Sequence, residues 1–146
     1  MKNRFAHCIF CDDIFQEEGN KFSFIGVYGP DLFIDQVPTS IPHLCAIATF
    51  NTGVAHPVKS LKVIVRLGDQ VLQEIEPPAS YLEATHQTFV NAADKVQEND
   101  TVSYRIQAAV YPVNFDKASV VEVVAIADGE EYIAGRLQVK IAVPQG

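Results

Sequence analysis

The chain has 146 residues, a mass of 16.1 kDa and a formal net charge of −7. A chain of this length is the ordinary size of one domain and buries about 68–70% of its unfolded surface, so it needs no disulfide framework. Hydrophobic residues make up 48% of the sequence and its pI is about 4.9, which excludes a disordered chain and argues against binding to phosphate backbones. We therefore expect a single domain over residues 1–146 that binds no nucleic acid.

The N-terminal residues include Lys2 and Arg4, but no apolar core with a cleavage site follows them, as a secretory signal would require. No run of 18 apolar residues occurs either, so we expect no membrane-spanning helix and no membrane partner. Three cysteines cannot all pair within one chain, which favours reduced thiols and a cytoplasmic protein.

The segment Arg4–Asp13 is predicted to be a strand with two apolar faces, because side chains alternate between the faces of a strand. One face carries Phe5, His7, Ile9 and Cys11, and the other carries Ala6, Cys8 and Phe10. Two interpretations remain open. The outer face is covered by another element of the same chain, or it meets a protein partner, such as the second subunit of a homodimer.

A recognisable string starts within this segment. It reads Phe10-Cys11-Asp12-Asp13-Ile14, then Gln16-Glu17, Gly19-Asn20-Lys21 and Ile25-Gly26-Val27-Tyr28. This string resembles the opening of a bacterial family of small uncharacterised proteins, catalogued as a domain of unknown function. Recognisable motifs extend as far as Leu44-Cys45. The resemblance implies a bacterial source and a β-rich single domain, and it transfers no catalytic residue.

Further strands are predicted mainly by alternation of apolar and polar residues, except that Ser119–Ala127 is predicted by its Val and Ile content and Val71–Ile75 by the hairpin turn before it. They cover Leu61–Leu67, Val71–Ile75, Val102–Val110, Ser119–Ala127 and Ile133–Val143. The pair Gly68-Asp69 joins the first two of these as a hairpin, and turns at Asn114–Lys117 and Asp128–Glu130 join the last three.

Residues 79–100 carry two conflicting signals. Leu82, His86, Phe89, Ala93 and Val96 have helical spacing, whereas Thr85, Thr88, Phe89 and Val90 favour a strand. We predict a strand around residues 84–91, followed by a loop or a single helical turn over Ala92–Asp100.

The total is about eight strands at intervals of roughly 10–15 residues, without a long amphipathic helix. This pattern predicts an all-β fold, a single-domain antiparallel β-sandwich of immunoglobulin-like architecture, with a small barrel as the alternative.

Two groups of residues are candidate metal ligands. Cys8, Cys11, His43 and Cys45 have the donor types that bind zinc. His43 and Cys45 lie on one face of the third strand predicted along the chain, which follows the strands Arg4–Asp13 and Lys21–Tyr28. Asp12, Asp13, Glu17, Asp31 and Asp35 are acidic residues in or beside loops, where a sandwich can hold calcium. The simpler interpretation is that the cysteines fill the core and the carboxylates are solvated, so neither metal is assigned and no cofactor is expected.

The pair Cys8 and Cys11 matches the redox pattern C-x-x-C, but a strand places the two side chains on opposite faces, too far apart for a disulfide. The motifs G-x-S-x-G, S-x-x-K, H-E-x-x-H and the Walker loop do not occur. We therefore predict no catalytic residue and no enzyme. The expected function is a non-catalytic, protein-binding or self-assembling module, and the alternative is a metal-binding sandwich.

Overall fold

The computed structural model describes residues 2–19, 21–92 and 95–142. Within these ranges the chain forms eleven strands and one helix. The N-terminal half contains β1 (Phe5–Glu17), β2 (Lys21–Val27), β3 (Asp31–Ile34), β4 (Thr39–Ile41), β5 (Leu44–Gly53), β6 (Leu61–Leu67) and β7 (Gln70–Ile75). The C-terminal half contains α1 (Ala79–Ala92), β8 (Thr101–Val110), β9 (Val113–Phe115), β10 (Ser119–Ala127) and β11 (Glu130–Ile141).

The strands form two large sheets with the core between them. One sheet has the order β2-β1-β5-β8 and the other the order β3-β11-β10-β6-β7, while β4 and β9 form a small separate pair. The core takes side chains from both layers, among them Phe50 and Tyr104 of the first sheet and Val123 and Leu137 of the second. The predicted all-β sandwich is therefore confirmed, since two separate sheets form rather than one closed sheet.

Alternation explains which side chains reach this core. Leu61, Val63 and Val65 of β6 are almost fully buried, whereas the residues between them are partly exposed. Strand β5 differs, because its residues from Leu44 to Ala48 are all buried. A strand that is buried on both faces must be covered on its outer side as well.

The cover comes from the β1–β2 hairpin. Cys11 is the last residue of β1 that pairs with β5, and beyond it β1 pairs only with β2. We call the part of the hairpin beyond Cys11 the arm. Its side chains Ile14, Phe22 and Phe24 pack against Cys11, Cys45, Ile47 and Ala109. The arm therefore folds back over the outer face of its own sheet.

The helix corrects our prediction for residues 84–91, because α1 spans Ala79–Ala92 and no strand forms there. Two prolines precede the helix, and the carbonyl oxygen of Pro78 accepts the first hydrogen bonds, from the backbone N–H groups of Tyr81 and Leu82. Leu82 is the buried residue of the helix and Phe89 packs partly against the core. The helical spacing was thus the correct signal, and the strand propensity of the threonines was misleading. In the described ranges no helix is long and apolar enough to cross a membrane.

Three short strands were not predicted. These are β3, β4 and β9, and β9 includes Asn114 and Phe115, which we had assigned to a turn. Strand β3 also pairs in parallel with β11, so the sheet is not purely antiparallel. Asn20, Ala93 and Val143, which took part in our predictions, lie outside the described residues.

Ionic contacts stabilise the second sheet and one end of the sandwich. The Glu122 carboxylate on β10 accepts hydrogen bonds from Arg66 Nη2 at 2.6 Å and from Arg136 Nε at 2.7 Å, so that a charged row crosses three strands. At the end of the sandwich, Arg4 Nη2 donates to Asp128 Oδ2 at 2.9 Å. The Arg4 side chain is only 4% exposed and that of Asp128 is 27% exposed, so the arginine is buried whereas the carboxylate keeps contact with water.

The free edge of β8 is occupied by side chains. The backbone N–H of Ala109 donates to Gln73 Oε1 at 3.0 Å, and the Tyr81 hydroxyl donates to the carbonyl oxygen of Arg105 at 3.0 Å. These two contacts satisfy backbone groups that an edge strand otherwise presents to other strands.

Candidate functional site

The outer face of β1 divides into a covered part and an open part. Cys11 lies under the arm and is fully buried, whereas Phe5 is 50% exposed and Ile9 is 37% exposed. Our first interpretation therefore applies to the Cys11 end, which an element of the same chain covers. At the other end the apolar side chains stay open, and contact with a partner there remains a prediction.

The β1–β2 hairpin exposes further apolar side chains beyond Ile9. While Ile14, Phe22 and Phe24 face the sheet, Phe15, Ile25 and Val27 are exposed. Eleven large hydrophobic side chains are exposed in the described part of the chain, and five of them belong to β1 and β2. We call Phe5, Ile9, Phe15, Ile25 and Val27 the hairpin patch.

Asp13, His43 and Cys45 come together at the base of the arm. Their ligand atoms all lie within 4.8 Å of one another. Strand register explains this meeting, because Cys11 of β1 pairs with Cys45 of β5. Continuing the same antiparallel register by two residues sets Asp13 opposite His43. His43 and Cys45 are two residues apart and share a face, as predicted, although His43 lies immediately before β5.

The cluster is partly buried and has polar neighbours. Cys45 is 1% exposed, and His43 Nδ1 is buried without a hydrogen-bond partner among the described residues. Burial raises the pKa of the Cys45 thiol, and the nearby Asp13 carboxylate raises that pKa further, while the Tyr111 hydroxyl acts in the opposite direction. The Tyr111 ring lies over the cluster, with its centroid 5.5 Å from that of His43.

Of the four predicted zinc ligands, the structure places only His43 and Cys45 in this cluster. Cys8 faces the core, where its Sγ lies close to Gly135, and burial raises the pKa of this thiol to about 12. Cys11 is on the opposite face, next to Cys45, and burial likewise raises its pKa to about 11. The prediction that the two thiols of the C-x-x-C sequence point apart is therefore confirmed.

The predicted calcium ligands do not gather into one group within the described ranges, and only Asp13 joins a cluster of potential ligands. Asp12 Oδ1 accepts a hydrogen bond from the Tyr28 hydroxyl at 2.5 Å. Asp31 pairs with Lys140 at 3.0 Å on the neighbouring strand, and Asp35 is exposed beyond β3. Asp13 therefore lies with His43 and Cys45 rather than with the other predicted calcium ligands. Only the pairing register of β1 with β5 reveals this position.

Sequence reasoning also missed a groove of about 750 Å³ on the outer face of the first sheet. The arm residue Phe22 and the helix residue Tyr81 form two of its walls, and His7 and Arg105 line its floor. The Arg105 guanidinium lies over the Phe22 ring, 5.6 Å from the ring centroid. Nothing in the sequence identifies this groove, because the folded-back arm and the helix create it.

No protein-family model matches this chain, and no curated protein matches it either.

Proposed function

We propose that the protein is a non-catalytic binding module that associates with a second copy of itself through the hairpin patch. The observation that carries this proposal is the concentration of exposed apolar side chains on β1 and β2. Single exposed apolar side chains are ordinary, but a concentration of five on one hairpin favours a partner for this surface.

The second copy is favoured over other partners by the geometry of the edge. Strand β2 pairs with β1 on one side and with no described strand on the other. An edge strand has its unpaired backbone groups in place for strand addition, and antiparallel pairing of two β2 strands would create a closed, symmetric dimer. In that dimer, Ile25 and Val27 of each copy would be withdrawn from water.

The charge distribution along β2 supports the same choice. Lys21 is the only charged residue among the seven residues of β2, so the strand carries little of the repulsion that prevents edge pairing. Proline, the other common obstacle to pairing, does not occur within this strand.

The test is the mass in solution, measured by light scattering coupled to gel filtration at about 10 to 100 μM. We expect twice the mass of one 16.1 kDa chain for the wild type. Replacing Ile25 and Val27 with Lys is expected to give a single-chain mass, because two buried charges would oppose pairing.

Val71→Lys is the matched control, since Val71 on β7 is 53% exposed and Ile25 is 51% exposed. The control variant keeps the wild-type mass if the hairpin patch is the interface. A wild type that elutes as one chain throughout this concentration range contradicts self-association. A double variant that keeps the mass of a dimer contradicts the assignment of the interface to the hairpin patch.

We further propose a cytoplasmic setting and a bacterial source. Three free cysteines support a reducing compartment, and the resemblance of the Phe10–Lys21 string supports the source. The net charge of −7 is consistent with a protein partner rather than a nucleic acid or an anionic membrane surface.

A further inference from the structure

We propose that Asp13, His43 and Cys45 form a zinc site at the base of the arm, independent of self-association through the hairpin patch. The three side chains come from two neighbouring strands and the residue before one of them. They offer a carboxylate oxygen, an imidazole nitrogen and a thiol sulfur that releases its proton to solvent when it binds the metal. These are the donor types that zinc uses in proteins.

An unpartnered nitrogen points to a ligand at this position. His43 Nδ1 is buried and has no hydrogen-bond partner in the described part of the chain. A buried polar atom without a partner is costly, and nearly all such atoms in folded proteins are satisfied. A metal ion coordinated through Nδ1 would satisfy this nitrogen, and the cluster is defined with either ring nitrogen of His43 as the ligand.

The three ligand atoms need to move only slightly to reach the separations that zinc binding requires. Zinc bonds of 2.0–2.3 Å in a tetrahedral arrangement put ligand atoms about 3.5 Å apart. The three ligand atoms lie within 4.8 Å of one another, so changes of about 1 Å in side-chain position suffice. Asp13 is already oriented, because its Oδ1 accepts the backbone N–H of Ile14 at 2.9 Å.

The donor set selects zinc over calcium or magnesium. Calcium takes six to eight oxygen ligands and magnesium a nearly octahedral set of oxygens, whereas this cluster offers one protein oxygen site beside nitrogen and sulfur. The fourth zinc ligand is then water, reached from the side of Tyr111, which is 64% exposed. Bound zinc would link β1 to β5 at the point where the arm leaves the sheet.

Cobalt(II) is the probe, because a cobalt–thiolate bond absorbs light and cobalt accepts the same ligands as zinc. Protein freed of metal with a chelator is titrated with cobalt, and zinc is then added to displace it. We expect a sulfur-to-cobalt absorption band that saturates at one cobalt per chain and disappears with zinc.

Three variants test the ligands separately, with folding checked by circular dichroism. Cys45→Ala is expected to abolish the band, and His43→Ala and Asp13→Asn are expected to weaken cobalt binding by at least about tenfold. Cys8→Ala removes a thiol from the opposite face and is the matched control, so its band stays unchanged.

The absence of any band at 100 μM cobalt, with the protein folded, overturns the proposal. A band that persists in Cys45→Ala or vanishes in Cys8→Ala overturns it as well. Ile25 lies opposite Asp13 in the β1–β2 register, so the cobalt titration uses the wild type and the ligand variants and not the Ile25 variant. The dimer test measures mass and the metal test measures cobalt absorption, so either proposal can fail while the other stands.

Discussion

Gly135 and Cys8 provide the sharpest test of how the two sheets pack. Gly135 lies on β11, and a Cβ atom built there would come within 2.5 Å of Cys8 Sγ on β1 and 3.5 Å of a ring carbon of Phe10. Unstrained contacts between such atoms are about 3.5–4.0 Å long. Gly135→Ala therefore forces an overlap of about 1 Å at the corner where β1 and β11 approach each other.

Overpacking of this kind costs about 1–3 kcal/mol. For a chain of this size, each kcal/mol lowers the melting temperature by about 2–4 °C, so we expect a decrease of about 2–12 °C. The assay is thermal unfolding followed by circular dichroism, together with urea unfolding to obtain the free energy of unfolding. Gly29→Ala is the control, because nothing lies within 4 Å of the Cβ it adds, and it is expected to leave stability nearly unchanged.

A double-mutant cycle assigns the cause. If the Cys8 sulfur is what the added methyl group meets, Cys8→Ala restores most of the stability that Gly135→Ala removes, with a coupling energy of about 1–2 kcal/mol. The predicted overlap with Cys8 is refuted if Gly135→Ala unfolds at the wild-type temperature. It is also refuted if the two substitutions are additive.

Three further variants test other contacts. Leu82→Ala is expected to lower the free energy of unfolding by about 2–5 kcal/mol in a urea titration, because this 2% exposed side chain anchors α1; an unchanged midpoint contradicts that role. Arg4→Met is expected to cost about 1–2 kcal/mol in the same assay, because it removes a hydrogen-bonded ion pair but leaves the partly exposed Asp128 carboxylate with two backbone hydrogen bonds; an unchanged urea midpoint contradicts that contribution. Hydrogen bonds from Arg66 and a second arginine lower the pKa of the Glu122 carboxyl below its usual value of 4.5. The ionised carboxylate therefore stabilises the fold above about pH 4.5, and this stabilisation is lost as the pH falls. Glu122→Gln should therefore flatten the decrease in urea midpoint between about pH 5 and about pH 3, and an unchanged slope would count against the charged row.

The sequence was sufficient to predict those strands in which buried and exposed residues alternate regularly. Leu61–Leu67 was predicted with the bounds that β6 has, because its alternate residues face the core while the residues between them stay partly exposed. The helix was missed for the opposite reason. Apart from Leu82, its side chains remain at least partly exposed, so the apolar stripe was faint and the β-branched threonines dominated the pattern.

The candidate zinc site shows a different limit. His43 and Cys45 are two residues apart, and their shared face followed from the sequence. Asp13 is 30 positions before His43, and only the pairing of β1 with β5 in one specific register brings it near. A shift of one residue would have placed Asp12 there instead, and no local pattern distinguishes these two registers.

If the protein associates through β2 as proposed, the side chains that occupy the free edge of β8 limit how far the assembly can grow. Growth of a sheet into a filament requires two receptive margins on each molecule, one for each neighbour. In the first sheet, Gln73 and Tyr81 already engage backbone groups on one margin, so only the β2 side can recruit another copy. Assembly through the first sheet would therefore end at a dimer. Replacing both Gln73 and Tyr81 would free the β8 edge, and the dimer could then grow into an open-ended polymer.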